Sequence, residues 1–328
     1  MGQNATSLLF DMRAPDFGTP ARTLYPEALA MAEYADSIGI GSVHVMEHHA
    51  SEDGYLPAPF VLGGGVAART SRARVTLGAV ILPLHDPVKI AEQIAVLDLM
   101  SGGRLEVIIG AGYVPSEFAR FKVSLRDRAR LLDQGIDIIL RSLKGERFEA
   151  DDREVFVRPL PIQLPEDILL GGGGVDASAK RAARFGIGLA PLHNGLIPLY
   201  EEECRKHGRE PGKIHGSGLP FNIHLAENPD AVWPQVWPHF AHLAASYAKW
   251  QSEGGSDTPF TGMDNEDRLR NSGMFVVWTP EELLEKAPAI VATKAHLNFM
   301  PLIGGLSPKL GWESLKLLGE KVMPRLKS

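Results

Sequence analysis

The sequence predicts an α/β protein, and within that class a single (β/α)8 TIM barrel with an insertion between strands 7 and 8. Three observations carry this: a length of 328 residues, eight short apolar runs alternating with amphipathic stretches, and one gap that breaks the rhythm. About 250 residues or more is ordinary for one such barrel. With 44% hydrophobic and 23% charged residues, the chain can bury a sizeable core without a disulfide or metal staple. Collagen, disordered tails and miniproteins are excluded.

The apolar runs are Ser7 to Phe10, Ser42 to Met46, Val75 to Leu82, Leu105 to Ile109, Ile168 to Leu170, Ile187 to Ala190, Leu219 to Leu225 and His296 to Met300. Nearly all-apolar runs read as strands buried on both faces, the habit of parallel sheets. Between them, Leu24, Ala28, Met31, Ala32, Ala35 and Ile38 share one helical face, as do Ala129, Leu132, Ile136, Ile139 and Leu143. Pro59 to Arg69, Pro87 to Met100, Asp176 to Arg184, Leu196 to His207, Pro280 to Val291 and Gly311 to Val322 supply the remaining helices, several with proline in the first turn. Repeated strand–helix alternation means parallel strands with right-handed crossovers. Periodicity does not show closure, so a doubly wound open sheet is the alternative.

Residues 1–328 read as one domain. Roughly 70 residues separate the seventh run from the eighth, too many for one crossover helix. The insertion, approximately 229–278, holds Trp233, Trp237, Trp250 and Trp278 and a glycine-rich run from Gly254 to Gly262. It reads either as a lid over the barrel mouth or as a helical pair burying its own aromatics.

Charge and cysteine narrow the partners. Lys and Arg total 34 against 40 Asp and Glu, a net charge of -6 with no basic block, which argues against nucleic acid. No apolar run approaches the roughly 20 residues of a membrane span. The opening stretch lacks the basic, apolar and small-residue segments of a signal peptide. A soluble, cytoplasmic protein is expected. Cys204, the single cysteine, has no intramolecular disulfide partner and reads as inert.

In a barrel the site is built at the C-terminal ends of the strands. The second run passes into Glu47-His48-His49, placing an acid and two imidazoles there, and histidine is the side chain most easily poised near neutral pH. The bland alternative is a histidine pair that fixes a turn. Three contiguous residues point in different directions and do not all meet one ion, so no metal site is assigned. A scattered hydrolase site would need His85, Asp86, His193 or His224.

Beyond the fifth run, Gly171-Gly172-Gly173-Gly174 leads through Val175 to a helix beginning near Asp176 and containing Ser178. Bare amides at a helix N-terminus suit a phosphate; the alternative is a glycine-rich corner in which Asp176 or Ser178 merely caps the helix. Gly110-Ala111-Gly112-Tyr113, followed by Glu117 and Phe118, gives a second close approach after the fourth run. Two adjacent glycine-rich strand ends suggest a large planar ligand with a phosphate tail.

These segments resemble the bacterial luciferase-like monooxygenase superfamily, TIM-barrel oxidoreductases that use flavin or coenzyme F420, over most of the chain. Gly39 to His49 is similar to the family's second strand, and the first histidine of its EHH motif, catalytic in luciferase, matches His48. Leu77 to Pro83, His85 to Val88 and Leu97 to Arg104 are similar to its third strand, third helix and the turn before strand four. The resemblance implies a bulge at Gly78 and Ala79, often with a non-prolyl cis peptide, supporting the isoalloxazine. It implies phosphate contacts near Ala111, Gly112, Gly173, Gly174 and Ser178, with Gly172 and Tyr113 lining the same pocket. Ala111 departs from luciferase, which has an arginine there, and GAGY with the GGGG loop resembles F420-using members, whereas EHH resembles FMN enzymes.

The resemblance thus implies an oxidoreductase using reduced FMN and oxygen on a small organic substrate, with His48 exchanging a proton and Glu47 and His49 orienting it. A separate flavin reductase and a homodimer through the outer helices near strands two and three are implied partners. Alternatives are F420-dependent hydride transfer, a non-catalytic flavin-binding barrel, and a metal-dependent hydrolase. The loops carrying Asp11, Met12, Arg13, Asp53, Tyr55 and Pro57, with the insertion, are expected to shape specificity.

Overall fold

The computed structural model describes residues 5–255 and 258–326. Ser256 and Asp257, within the glycine-rich run of the expected insertion, lie outside the described residues, as do residues 1–4 and 327–328. All eight expected strands form, most within one or two residues of their expected bounds. They are β1 (Thr6–Phe10), β2 (Ser42–Val45), β3 (Arg74–Ile81), β4 (Leu105–Gly110), β7 (Leu169–Gly173), β8 (Gly188–Pro191), β9 (Asn222–Leu225) and β11 (Leu297–Phe299). Three further strands were not expected: β5 (Phe148–Ala150) and β6 (Arg153–Val155), an antiparallel hairpin, and β10 (Phe275–Trp278).

Seven strands make one parallel sheet in the order β11-β1-β2-β3-β4-β7-β8. The expected seventh strand, β9, pairs instead with β10 in a separate parallel ribbon. Between the sheet's edges, Ile214 bridges Leu189 of β8 and Gly216 bridges Ala295, just before β11. The hydrogen-bonded sheet is therefore a curled seven-stranded one, not the uniform eight-stranded ring expected. The reason lies in residues 217–221: Gly218 and the missing amide of Pro220 interrupt the ladder where the seventh strand would run.

Helices cover the sheet as their periodicity predicts. In α1 (Ala21–Ile38), Leu24, Ala28, Met31, Ala32 and Ala35 are fully buried, and burying a side chain such as Leu24 is worth about 1.5–3 kcal/mol. Gly39, at φ 87°, ends this helix in the left-handed conformation. The carboxylate of Asp36 then accepts from the amides of Ser71, Arg72 and Ala73, tying α1 to the turn that launches β3. Helices α2 (Pro59–Arg69) and α3 (Pro87–Ser101) both begin on proline, and Asp86 caps the second through the amides of Val88 and Lys89.

The stretch between β9 and β11 contains α9 (Pro229–Glu253), α10 (Glu266–Asn271), β10 and α11 (Pro280–Ala292). The first half of α9 builds a second core: Trp233, Phe240 and Leu243 pack with Phe275 of β10, Met300, Ile303 and Leu306. Among the described residues no helix is long and apolar enough to cross a membrane. Cys204 is buried in α8 (Ile197–Lys206), and burial pushes its thiol pKa up, so it is poorly suited to act as a nucleophile.

Candidate active site

The chain leaving β2 turns sharply, held by His48 N–H donating to Leu56 O (3.1 Å) and Leu56 N–H to Asp11 O (2.9 Å). This turn sends neighbouring side chains to opposite partners. His48 Nδ1 donates to Oε1 of Glu117 (2.9 Å), which also accepts from the His49 amide (2.6 Å). Glu47 instead accepts from Nε2 of His85 (2.7 Å) and of His49 (3.1 Å) through Oε1, and from the Ile81 amide (2.6 Å) through Oε2. Burial raises the Glu47 carboxyl, but these hydrogen bonds outweigh it and hold its pKa at about 2.

The expectation that Glu47 and His49 orient His48 is therefore corrected. Residues i and i+2 share one side of an extended turn, so Glu47 and His49 pair with each other, and His48 between them faces Glu117. Glu117 is buried in α4 (Pro115–Arg120), and among the described residues its Oε2 has no hydrogen-bond partner. It lies 69 residues from His48, and its only signal in sequence was its place beyond the fourth strand.

Glu47, His49 and His85 also offer donor atoms within 4.8 Å of one another, the cluster with metal-ligand spacing among the described residues. Those atoms are already engaged with each other. Of the other candidates, Asp86 caps α3 and pairs with Arg153, His193 reaches only the Gly174 carbonyl, and His224 lies buried in β9.

Four rings surround His48: Trp250 at 4.4 Å between centroids, Tyr55 at 4.9 Å, Tyr113 at 5.9 Å and Tyr247 at 6.0 Å. Trp250 and Tyr247 come from the second half of α9. Arg13 lies fully buried behind the same rings, bonded to Asp53 and to Ser246 Oγ (3.2 Å). Burial pushes Asp53 up, but His242 at 2.7 Å, Arg13 and Ser51 hold it well below the usual carboxylate range. The net shift of Asp11 is the opposite one: burial raises it to about 6, against the pull of Arg13.

The glycine-rich strand ends lie beside this centre on adjacent strands, β2-β3-β4-β7. The Gly78-Ala79 peptide is cis, and the β3–β4 register shifts between Gly78 and Val80. Gly78, Ala79, Gly110, Ala111, Gly112 and Gly172 are half-buried beside fully buried strand residues, as expected of atoms lining a concavity. Side chains are crowded there: a Cβ on Gly110 would sit a tight 3.2 Å from that of Ala79, and one on Gly172 would clash at 2.9 Å with Ile108. Gly112, at φ 69°, leaves 2.6 Å to Ile81 for a Cβ, and Gly173, at φ 151°, leaves 2.8 Å to Ser178. A surface of backbone and the methyls of Ala79 and Ala111 suits a flat ring.

Beyond it, α7 (Asp176–Phe185) presents its N-terminus after half-buried Gly173 and Gly174. The Ser178 hydroxyl donates to Val175 O (2.6 Å), so its proton is used within the helix turn and only its oxygen lone pairs remain. Tyr113, half-buried, has its phenol pKa raised by burial, and its ring faces His48.

The chain matches the luciferase-like monooxygenase family model over residues 8–296. It is 30% identical over 317 residues to limonene 1,2-monooxygenase of Rhodococcus erythropolis, covering 90% of this chain and 80% of that one. A monooxygenase from Streptomyces bottropensis superposes with a TM-score of 0.79 at 27% identity, covering 98% of each chain. The FMN-bound oxygenating constituent of 3,6-diketocamphane monooxygenase from Pseudomonas putida shares the fold, with a TM-score of 0.70, 20% identity and 99% of each chain covered. With several other curated relatives the match spans about half of the relative's length.

Proposed function

Because the chain belongs to the luciferase-like monooxygenase family, we propose that it is an oxidoreductase that uses reduced FMN and oxygen to oxygenate a small organic substrate. The observation that carries this reading is the half-buried, backbone-lined surface at the ends of β3, β4 and β7 beside the His48–Glu117 pair. Gly78, Ala79, Gly110 and Gly172 would support the isoalloxazine; Ala111, Gly112, Gly173 and Gly174 would hold the phosphate tail, and Ser178 would join them by turning its hydroxyl from Val175 O to the phosphate. The flavin, when bound, supplies the oxygen-activating chemistry.

The protein's own contribution is orientation, exclusion of water and proton placement. Glu117 fixes the ring of His48 through Nδ1, leaving Nε2 to donate or accept a proton at the reacting centre. Glu47 acts as a positioning residue that locks His49 and His85. Trp250 lies tilted over His48 at 4.4 Å between centroids, so the second half of α9 would act as a lid over that imidazole, while its first half belongs to the second packed core.

Equilibrium binding of FMN, reduced FMN and F420 tests the reading. Gly174→Asp, which adds negative charge at the proposed phosphate site, should weaken cofactor binding, while His48→Ala should spare it and slow turnover. The reverse pattern would falsify these assignments. F420-dependent hydride transfer is the second reading, favoured by Ala111 in place of a phosphate-binding arginine; turnover with F420 under anaerobic conditions would establish it. A separate flavin reductase would supply reduced FMN. A homodimer through α2 and α3 would cover exposed Val61, Val96, Leu99 and Met100, and sedimentation of Met100→Glu should show monomer.

A further inference from the structure

Arg13 is fully buried, yet among the described residues its Nε and Nη2 have no hydrogen-bond partner. Only Nη1 is used, on Asp53 and Ser246. An arginine does not discharge by losing its proton, so two unpaired donors on a buried cation are costly unless a ligand completes them. The guanidinium carbon lies 4.6 Å from the ring centroid of Tyr55, 4.8 Å from Trp250 and 5.8 Å from Tyr247. Those same three rings flank His48. Cation and imidazole thus share one aromatic enclosure.

We propose that the free Nε–Nη2 edge of Arg13 is a subsite for the carbonyl oxygen of a planar, uncharged ligand held among Tyr55, Tyr247 and Trp250 beside His48. This deepens the monooxygenase reading and rests on it. The planar edge presents two parallel N–H donors, a fork that two carboxylate oxygens can fill or one carbonyl oxygen can share, so the shape admits both and the charge around it must choose. Charge decides against an anion: Asp53 already neutralises Arg13, and Asp11, near enough to feel the guanidinium, adds a second carboxyl. A ligand carboxylate would be a further negative group in the same enclosure, whereas a neutral carbonyl satisfies the donors without adding charge. The oxygen belongs either to the substrate or to the pyrimidine ring of the flavin.

Calorimetric titration of flavin-free protein with planar ketones of increasing size, acetophenone and 1-tetralone first, against their hydrocarbon and carboxylate counterparts separates these sources. A ketone preferred over its hydrocarbon by roughly tenfold or more, with the preference lost in Arg13→Lys and FMN affinity unchanged, assigns the subsite to substrate. Loss of FMN affinity in Arg13→Lys, with no ketone preference in the native protein, assigns it to the flavin. The proposal is overturned if Arg13→Lys alters neither, or if carboxylates bind more tightly than ketones. Comparison of ketone and hydrocarbon on the native protein stands even where the variant does not fold. Because no flavin or oxygen is present in the ketone titration, failure of the native chain to bind FMN would sink the monooxygenase reading and leave this result legible.

Discussion

At the N-terminal ends of the strands, Ser7 Oγ meets Ser42 Oγ at 2.9 Å and His296 Nδ1 at 2.7 Å, and His44 Nε2 reaches Ser42 at 3.1 Å. Glu106, buried beside them, is met by Arg74, Lys213 and His215. At the C-terminal ends, Arg13 keeps two donors and Glu117 an oxygen unpaired among the described residues. Both ends bury histidine and carboxylate. At the floor Glu106 Oε2, Arg74 Nε and His215 Nδ1 also lack a hydrogen bond among the described residues, but Glu106 sits within ion-pair distance of Arg74, Lys213 and His215. At the mouth, by contrast, Nε and Nη2 of a permanent cation face no carboxylate that they bond. Charges satisfied internally add to stability, and charges left open are groups a ligand can use.

The sharpest test of this contrast is a pair of substitutions, one at each end. His48→Ala should lower turnover by roughly 10²- to 10⁴-fold, the usual worth of a positioned proton donor or acceptor, with little change in melting temperature. An equal loss of stability would return His48 to the role of a turn-fixing residue. Glu117→Gln should slow turnover less and shift its pH profile, since it disturbs only the orientation of the ring. At the floor, Glu106→Gln should leave Arg74 and Lys213 facing a neutral group and cost about 1–3 kcal/mol, discounted because both cations are partly exposed. Activity per folded molecule should remain, as a urea titration beside a turnover assay would show.

The two ends should also respond oppositely to pH. Burial lowers His296 to about 4, and His44 and His215 below their ordinary value. A depressed histidine gives stability that is present above the unfolded pKa near 6.5 and is lost as pH falls through the folded value. Asp11, raised to about 6 by burial, gives stability that is present below its unfolded pKa and is lost as pH rises through the folded one. Between pH 4.5 and 6.5 the floor gains stability and Asp11 loses it. Urea midpoints across that range should rise less steeply in His296→Asn and more steeply in Asp11→Asn; slopes unaltered by either change would break the comparison.

Much of this organisation was legible in the residues. The helical face of α1 and the apolar runs of β1 to β4 report burial directly, because a face must be apolar before anything can cover it. Phe275–Trp278 is as apolar as the other runs, but its place inside the gap hid it. The hairpin of β5 and β6 spans three residues a side with glutamate and arginine outward, a pattern that periodicity does not separate from a loop. The glycines at 78, 110, 112 and 172–174 marked the strand ends where backbone is bare, and EHH marked the turn after β2.

Pairing across long separations was not legible. His48 meets Glu117 and not Glu47, because an extended turn sends alternate side chains to opposite sides and only the packed neighbours decide what waits there. Arg13 and Trp250 are named in the sequence without any sign that they share an enclosure 237 residues apart in the chain. Composition and periodicity determined which atoms had to leave water and hence the α/β class. The fold alone decided which buried charges found partners, since that depends on distances between strands and helices that no local pattern encodes.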